Sequence, residues 1–348
     1  MDIEIVGRKI GPDFPPYIVA EMSGNHNGDI NCALAIIKAA KDAGADAIKL
    51  QTYTADTITI DHNAPEFIVR GGKYWNGRRL YELYQEAHTP WEWHKELFDY
   101  GKEIGITVFS TPFDPTAVNF LENLGVSAYK VASYEIIDLP LITEIAKFGK
   151  PMIISTGMAS EEEIRMAHRT AWNGGCSKII FLHCVSGYPA QPEEFGLDVI
   201  RRRIREFGTC GLSDHSYGTA VAVASVALGA VLIEKHFTLS RVDGGVDSGF
   251  SLEPHELRQL VRDCQIAWKA VRPSLLYGIE SSELPGRSFR RSLYVVKDIK
   301  KGEKITDKNV RSIRPGLGML PRFLPKVLGR YAKRDLKFGT PLSWDMIE

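Results

Sequence analysis

Short runs of apolar and β-branched residues recur along this chain, separated by longer stretches in which apolar residues return every three or four positions. The first kind predicts buried strands and the second amphipathic helices. The short runs are YIVAE (17–21), DAIKLQT (46–52), ITVFST (106–111), SAYKVAS (127–133), PMIIST (151–156), KIIFLHC (178–184), TCGLSDH (209–215) and VLIEKHF (231–237). Helical patterns such as NCALAIIKAAKDAGA, WEWHKELFDYGKEIG and DPTAVNFLENLG lie between them, and PHELRQLVRDCQIAWKAV ends the series. Eight strand–helix units in about 270 residues predict an α/β fold, a (β/α)8 TIM barrel, for which about 250 residues is typical. An open doubly wound sheet would want a glycine-rich phosphate turn after its first strand, and none stands there.

Near residue 275 the pattern breaks. SLLYGIESSELPGRS is turn-rich, and SLYVVKDIKKGEKITDKNVRSIRPGLG then alternates strand-like runs with Gly and Lys turns. We therefore expect a barrel over residues 1–275, a linker over 276–287 and a small β-rich domain over 288–348. A core of about 60 residues is small for an independent unit, so this domain is expected to lean on something larger.

A barrel of this kind carries its active site at the C-terminal ends of its strands. Polar residues stand there at nearly every strand: Glu21, Lys49 and Gln51, Ser110 and Thr111, Lys130 and Ser133, Ser155 and Thr156, His183 and Ser186, Ser213 and His215, then Glu234, Lys235 and His236. Any one could be structural, but so many charges at one end need partners or a ligand. Lys49 and Lys130 can meet one anion, with the hydroxyls of Thr111, Ser133, Ser155 and Ser213 donating to its oxygens. His215 and His236 end consecutive strands. They read either as ligands of a divalent first-row metal acting as a Lewis acid or as two separate core histidines. Asp247, in the loop after the eighth strand, is a further ligand or a substrate contact. Glu21 is expected to be ionised beside the lysines and is the candidate for proton handling. In SGNHNGD, Asn25, His26 and Asn27 either face substrate or make a plain turn. Tyr74, Trp75 and Tyr81, in the long loop after the second strand, suit sugar stacking or packing.

Composition narrows the class. The 348 residues are 44% hydrophobic and 25% charged, as in soluble globular proteins. Forty-three basic residues balance 43 acidic ones, so neither nucleic acid nor an anionic membrane surface is an expected partner. Arg201, Arg202, Arg203 and Arg205 read as a solvated helix face. Five cysteines, an odd number with no CxxC pair, point to reduced thiols in the cytoplasm. The N-terminus lacks a signal-peptide pattern, and no stretch is apolar enough to span a bilayer.

The ordered set AEMSGNHNGD, ADAIKLQTYTADT, FSTPFD, YKVAS, STGM, HCVSGYP, GLSDHSYG, EKHFTLSR, FRRSLY and RSIRPGLG resembles the sialic acid synthase family nearly end to end. EMSGNHN, LQTYTADTITID, GRRLYELYQEAHTPWEWH, HFTLSRVDGG and GTPLSWDMIE are most similar to its pseudaminic acid synthase branch. The resemblance implies a TIM barrel followed by an antifreeze-like (SAF) domain, in a domain-swapped homodimer whose small domains cap the partner's barrel. It implies a metal-dependent condensation of phosphoenolpyruvate with an amino-sugar aldehyde to a nine-carbon sugar acid and phosphate. In that branch the sugar is 2,4-diacetamido-2,4,6-trideoxy-L-altrose. Synthesis of N-acetylneuraminic or legionaminic acid, for spore-coat or surface polysaccharide, is the alternative. A carbohydrate- or ice-binding protein is the non-enzymatic one.

By the same resemblance, catalytic roles fall to Glu21, Lys49, Lys130, His215 and His236. Lys49, Thr111, Lys130, Ser133, Ser155 and Ser213 would hold phosphoenolpyruvate. His215 and His236 would bind the metal, Mn2+ ahead of Mg2+ or Co2+. Asn25, Gln51, Tyr188, Glu234, Asp247 and Arg314 would meet the sugar, with Arg314 reaching its acetamido group from the capping domain. Ser186 stands where the sialic acid synthase proper carries Asn, so its contact to phosphoenolpyruvate would run through a shorter hydroxyl, its backbone or water.

Overall fold

The computed structural model describes residues 3–71, 73–271 and 278–348. The chain divides into two units, Met1–Arg272 and Pro273–Glu348. The expected boundary at 275 and the first two positions of the expected linker, 276 and 277, lie outside the described residues.

In the first unit eight parallel strands close a barrel. They are β1 (Tyr17–Glu21), β2 (Ala47–Thr52), β3 (Thr107–Pro112), β4 (Tyr129–Val131), β5 (Met152–Ser155), β6 (Ile179–Cys184), β7 (Cys210–Asp214) and β8 (Leu232–His236). Each pairs with the next, and β8 closes on β1 with Leu232 opposite Tyr17 and His236 opposite Glu21. This is the TIM barrel that the pattern of apolar runs predicts. The runs are apolar on both sides because the barrel interior buries one face and the helices the other.

The intervening helices are delimited by local chemistry. Asp29 caps Ile30–Ala43 by accepting from the Asn31 amide, and Gly44 ends that helix in the left-handed region. Ser160 and Glu163 form a capping box at the start of Glu161–Asn173. One helix corrects the expected arginine face. Arg201, Arg202 and Arg205 are exposed, but Arg203 is buried and donates to Thr156 Oγ1. Arg203 lies three residues after buried Ile200, so the helical period turns it inward with Ile200.

The N-terminal ends of the strands are covered by an antiparallel hairpin, Ile3–Ile5 with Arg8–Ile10. Ile3, Ile5 and Ile10 share one apolar cluster with Tyr17 and Ala47, which open β1 and β2. Arg8 Nε lies 3.0 Å from Asp46 Oδ1, and Asp46 Oδ2 accepts from the Ile18 amide at 2.8 Å.

In the second unit β9 (Ser292–Val295) pairs antiparallel with β10 (Val310–Ile313). Isolated bridges such as Ile299 to Leu336 and Ala332 to Ile347 tie in the remaining chain. Leu293, Val295, Ile299, Ile305, Leu336 and Leu342 are among its core residues. An exposed 3₁₀ segment, Ser281–Phe289, precedes it.

Candidate active site

The C-terminal end of the barrel gathers charge in the interior. Lys49 Nζ on β2 lies 3.0 Å from Glu21 Oε2 on β1 and 3.2 Å from Glu234 Oε1 on β8. Lys130 Nζ on β4 approaches the same Glu234 oxygen at 3.8 Å. Lys49 also donates to Thr111 Oγ1 at 3.2 Å, and Ser213 Oγ to Glu234 Oε1 at 3.4 Å. All six side chains are buried. Glu234 Oε2 and Ser155 Oγ nevertheless have no hydrogen-bond partner. Buried polar atoms are nearly always paired, so two such atoms at one barrel end mark room for a ligand.

The four charges do not titrate alike. Burial pushes Glu21 above the usual carboxylate range, and Glu234 adds to the push against the pull of Lys49. The expectation that Glu21 is simply ionised is thereby corrected, because desolvation outweighs the single lysine it touches. Burial acts on Glu234 too, but Lys130 and Lys49 together hold it below its ordinary value. Burial brings Lys130 down to about 8 against the attraction of Glu234.

Beside this cluster stand the two histidines, their ring centroids 5.2 Å apart. His215 Nδ1 is 3.0 Å from the Val185 carbonyl oxygen. A carbonyl only accepts, so Nδ1 carries a hydrogen and Nε2 is the ring atom left to meet a ligand. His236 Nδ1 is buried without a hydrogen-bond partner, with Asp247 Oδ2 at 3.5 Å. Burial, reinforced by His215, holds His236 well below its ordinary value, so its imidazole is neutral. Burial acts on His215 as well, but Cys184 outweighs it and holds His215 above its ordinary value. A neutral His236, the Nε2 of His215 once it loses its proton, and the adjoining Asp247 carboxylate fit a divalent cation. Burial pushes Asp247 up to about 6, partly offset by Ser23 Oγ, which donates to Asp247 Oδ2. Gln51 Nε2 donates to Glu21 Oε1 at 2.9 Å and to Ser23 Oγ at 3.2 Å. Gln51 and Ser23 thus link Glu21 to Asp247.

A third group is made of hydroxyls around Gly157. The Gly157 amide donates to Ser133 Oγ at 3.1 Å. A Cβ on Gly157 would lie 2.2 Å from Ser186 Oγ and 2.8 Å from Ser133 Oγ, so only a bare backbone fits between them. The short Ser186 hydroxyl is thereby set beside Ser133.

The NeuB family signature matches residues 36–274, and the SAF domain signature matches residues 290–348. The chain belongs to the NeuB family. The pseudaminic acid synthase of Campylobacter jejuni is 44% identical over 94% of this chain and 95% of its own. That of Helicobacter pylori is 41% identical over 96% and 98%. Among solved structures, the N-acetylneuraminic acid synthetase of Leptospira borgpetersenii, in complex with citrate, is similar with a TM-score of 0.73 and 32% identity, covering 82% of this chain and 95% of that one. A NeuB family enzyme with a C-terminal SAF domain is therefore what the fold and motifs describe.

Within this NeuB barrel, strand alternation sorts the strand-end residues. Ser110 bonds to Thr52, which also bonds to His94. Thr156 donates to the Leu182 carbonyl, and His183 Nε2 bonds to that of Phe195. Lys235 pairs with Asp214 at 2.8 Å and donates to the Ser216 carbonyl. None of these four has a contact to the lysine–glutamate cluster. Asn25 Nδ2 donates to the Phe237 carbonyl and to Ser251 Oγ, each at 2.9 Å, and leaves Oδ1 unpaired. His26 is buried edge-on against Trp93, and Asn27 donates to the Gly244 carbonyl. Tyr188 lies over His215 with ring centroids 4.4 Å apart. Tyr81 donates to Asp56. Arg314 is exposed and follows β10 in the second unit.

Sequence reasoning missed two acidic-site partners. Ser23 was hidden in a turn-like segment, where it adopts a left-handed φ of 48°. Glu135, two residues past Ser133, has a buried unpaired Oε2 and is pushed up to about 7 by burial against the pull of Lys130. Its place just beyond a strand end was the available signal. Among the described residues Glu253, His255 and Glu256 also bring ligand atoms within 4.8 Å of one another, but Arg241 already pairs with both carboxylates.

Proposed function

We propose that the protein is a pseudaminic acid synthase, a transferase that condenses phosphoenolpyruvate with 2,4-diacetamido-2,4,6-trideoxy-L-altrose to give pseudaminic acid and phosphate. The observation that carries this reading is the pair of buried cations, Lys49 and Lys130, set among hydroxyls and the unpaired Oε2 of Glu234, next to the His215–His236 pair. The names of the 41–44% identical relatives supply the sugar.

In this reading carbon 3 of phosphoenolpyruvate bonds to the aldehyde carbon, water adds at carbon 2, and phosphate leaves by C–O cleavage. Lys49 and Lys130 offset the charge of the phosphate and carboxylate in a site walled from bulk water. Thr111, Ser133, Ser155, Ser186 and Ser213 donate to its oxygens and fix its position, which by itself is worth several kcal/mol of barrier. Glu21, held above the ordinary carboxylate range, takes and returns a proton near neutral pH. Gln51 and Asp247 orient the sugar, with Glu234 bridging both lysines. A divalent ion, Mn2+ ahead of Mg2+ or Co2+, would be held by His215 and His236 and would supply Lewis-acid polarisation of the aldehyde oxygen.

The exposed Phe289, Leu317 and Phe338 and the small core of the second unit support a domain-swapped homodimer in which Arg314 serves the partner's sugar site. Five free cysteines suit a cytoplasmic enzyme.

The test is phosphate release from phosphoenolpyruvate with a panel of the diacetamido-trideoxy altrose, N-acetylmannosamine and the legionaminic acid precursor. Turnover is expected with the first sugar, lost on chelation and restored by Mn2+. Preference for either other sugar moves the protein to the neuraminic or legionaminic branch, and no release with any sugar leaves the binding-protein reading. Arg314→Ala should raise KM for sugar and leave KM for phosphoenolpyruvate unchanged.

A further inference from the structure

The long segment after β2 does more than connect. Val69 and Arg78 pair through the Val69 amide and the Arg78 carbonyl at 2.9 Å, and Ile68 bridges to Arg79. This pairing closes a strap that carries Tyr74 and Trp75 to the loops after β6, β7 and β8. Trp75 Nε1 donates to the Val246 carbonyl at 2.9 Å, and Tyr74 OH meets Tyr217 OH at 3.0 Å. Tyr74 also lies against Gly249, where a Cβ would stand 2.6 Å from the ring. A Cβ at 249 would force the Tyr74 ring to move.

These ties set three rings over the histidine pair. Trp75 lies 5.3 Å from Tyr188 and 6.5 Å from Phe250, centroid to centroid. Tyr188 in turn lies 4.4 Å from His215, and Phe250 lies 5.0 Å from His236. The one polar atom of the Trp75 side chain is spent on Val246, and Phe250 has none. A hydroxyl brought against these two rings would lose water and gain no partner, whereas a methyl group would lose nothing.

We propose that Trp75 and Phe250, with the ring of Tyr188, form an apolar wall beside the His215–His236 pair that selects amino sugars presenting methyl rather than hydroxyl at the carbon packed against it. The inference rests on the synthase reading above and adds to it the residues that read a deoxy position. Tyr74, Tyr217 and Gly249 act as positioning residues, because they hold the strap in place.

The experiment compares kcat/KM of the full-length enzyme, with Mn2+ and saturating phosphoenolpyruvate, for the 2,4-diacetamido-2,4,6-trideoxy sugar and for its 6-hydroxy counterpart. The unmodified enzyme should favour the deoxy sugar by roughly tenfold to a hundredfold, the range over which an apolar pocket rejects an added hydroxyl. Trp75→Ala and Phe250→Ala should each cut that ratio about tenfold, while KM for phosphoenolpyruvate stays put. Trp75→Phe, which keeps an apolar ring, should retain most of the ratio, and Gly249→Ala should lower it without removing any ring. Turnover by the alanine variants with an unmoved ratio overturns the wall and leaves the synthase reading standing. No phosphate release by the unmodified enzyme with either sugar overturns both.

Discussion

The two ends of the barrel are built from the same eight strands and do opposite things with polar groups. At the N-terminal end the hairpin isoleucines pack on Tyr17 and Ala47, each oxygen of Asp46 has its own donor, and the Tyr17 hydroxyl is left without a hydrogen-bond partner. At the C-terminal end Glu234, Ser155 and His236 each keep a buried atom unpaired. A closed set of partners stabilises a fold. An open set costs stability and persists where a ligand completes it. Unpaired carboxylate and imidazole atoms at one end, against a single phenol hydroxyl at the other, therefore separate structure from site more sharply than the count of charges at either end.

Substitutions at the two ends put this contrast at risk. Lys49→Ala should have the largest effect. It removes the cation shared by Glu21 and Glu234 and should lower kcat/KM for phosphoenolpyruvate about a thousandfold in steady-state assays. A loss below tenfold would mean that the cluster is structural after all. Asp46→Ala should do the reverse. Losing the Arg8 and Ile18 bonds should cost about 1–3 kcal/mol in denaturant unfolding and leave kcat/KM within about twofold. A large kinetic change there would erase the distinction between the ends. The smallest effect is in pH. Lys130, brought down to about 8, is charged below that pH and neutral above it. Anion binding is thus strongest below pH 8, and KM for phosphoenolpyruvate should rise roughly tenfold between pH 7 and pH 9. Lys130→Arg should flatten the rise, because a guanidinium stays charged throughout.

Much of this was legible beforehand. The eight apolar runs each correspond to a barrel strand, because a strand buried on both faces has to be apolar nearly throughout. The strand-end residues were also legible as a set. Their division was not. Glu234, Lys235 and His236 are adjacent, yet Glu234 and His236 lie with the candidate site and Lys235 turns to Asp214. Alternation guarantees such a split, but which parity faces inward depends on how β8 closes on β1. Arg203 shows the same limit on a helix, where a run of arginines looked solvated and one of them is buried.

The sequence by itself determined the barrel, the β-rich tail, the sialic acid synthase resemblance and the kinds of residue at the strand ends, since these follow from periodicity and from ordered local motifs. Only the tertiary structure decided which of those residues meet. Glu21 was expected to be ionised from the lysines near it in the pattern. Folding instead buries it against Glu234 with Lys49 shared between them, and the burial outweighs the lysine. Trp75 was one aromatic in a long loop until its indole N–H was tied to Val246 and its ring set beside Tyr188. Desolvation and long-range ring contacts depend on distances between segments far apart in the chain, and no local pattern encodes those distances.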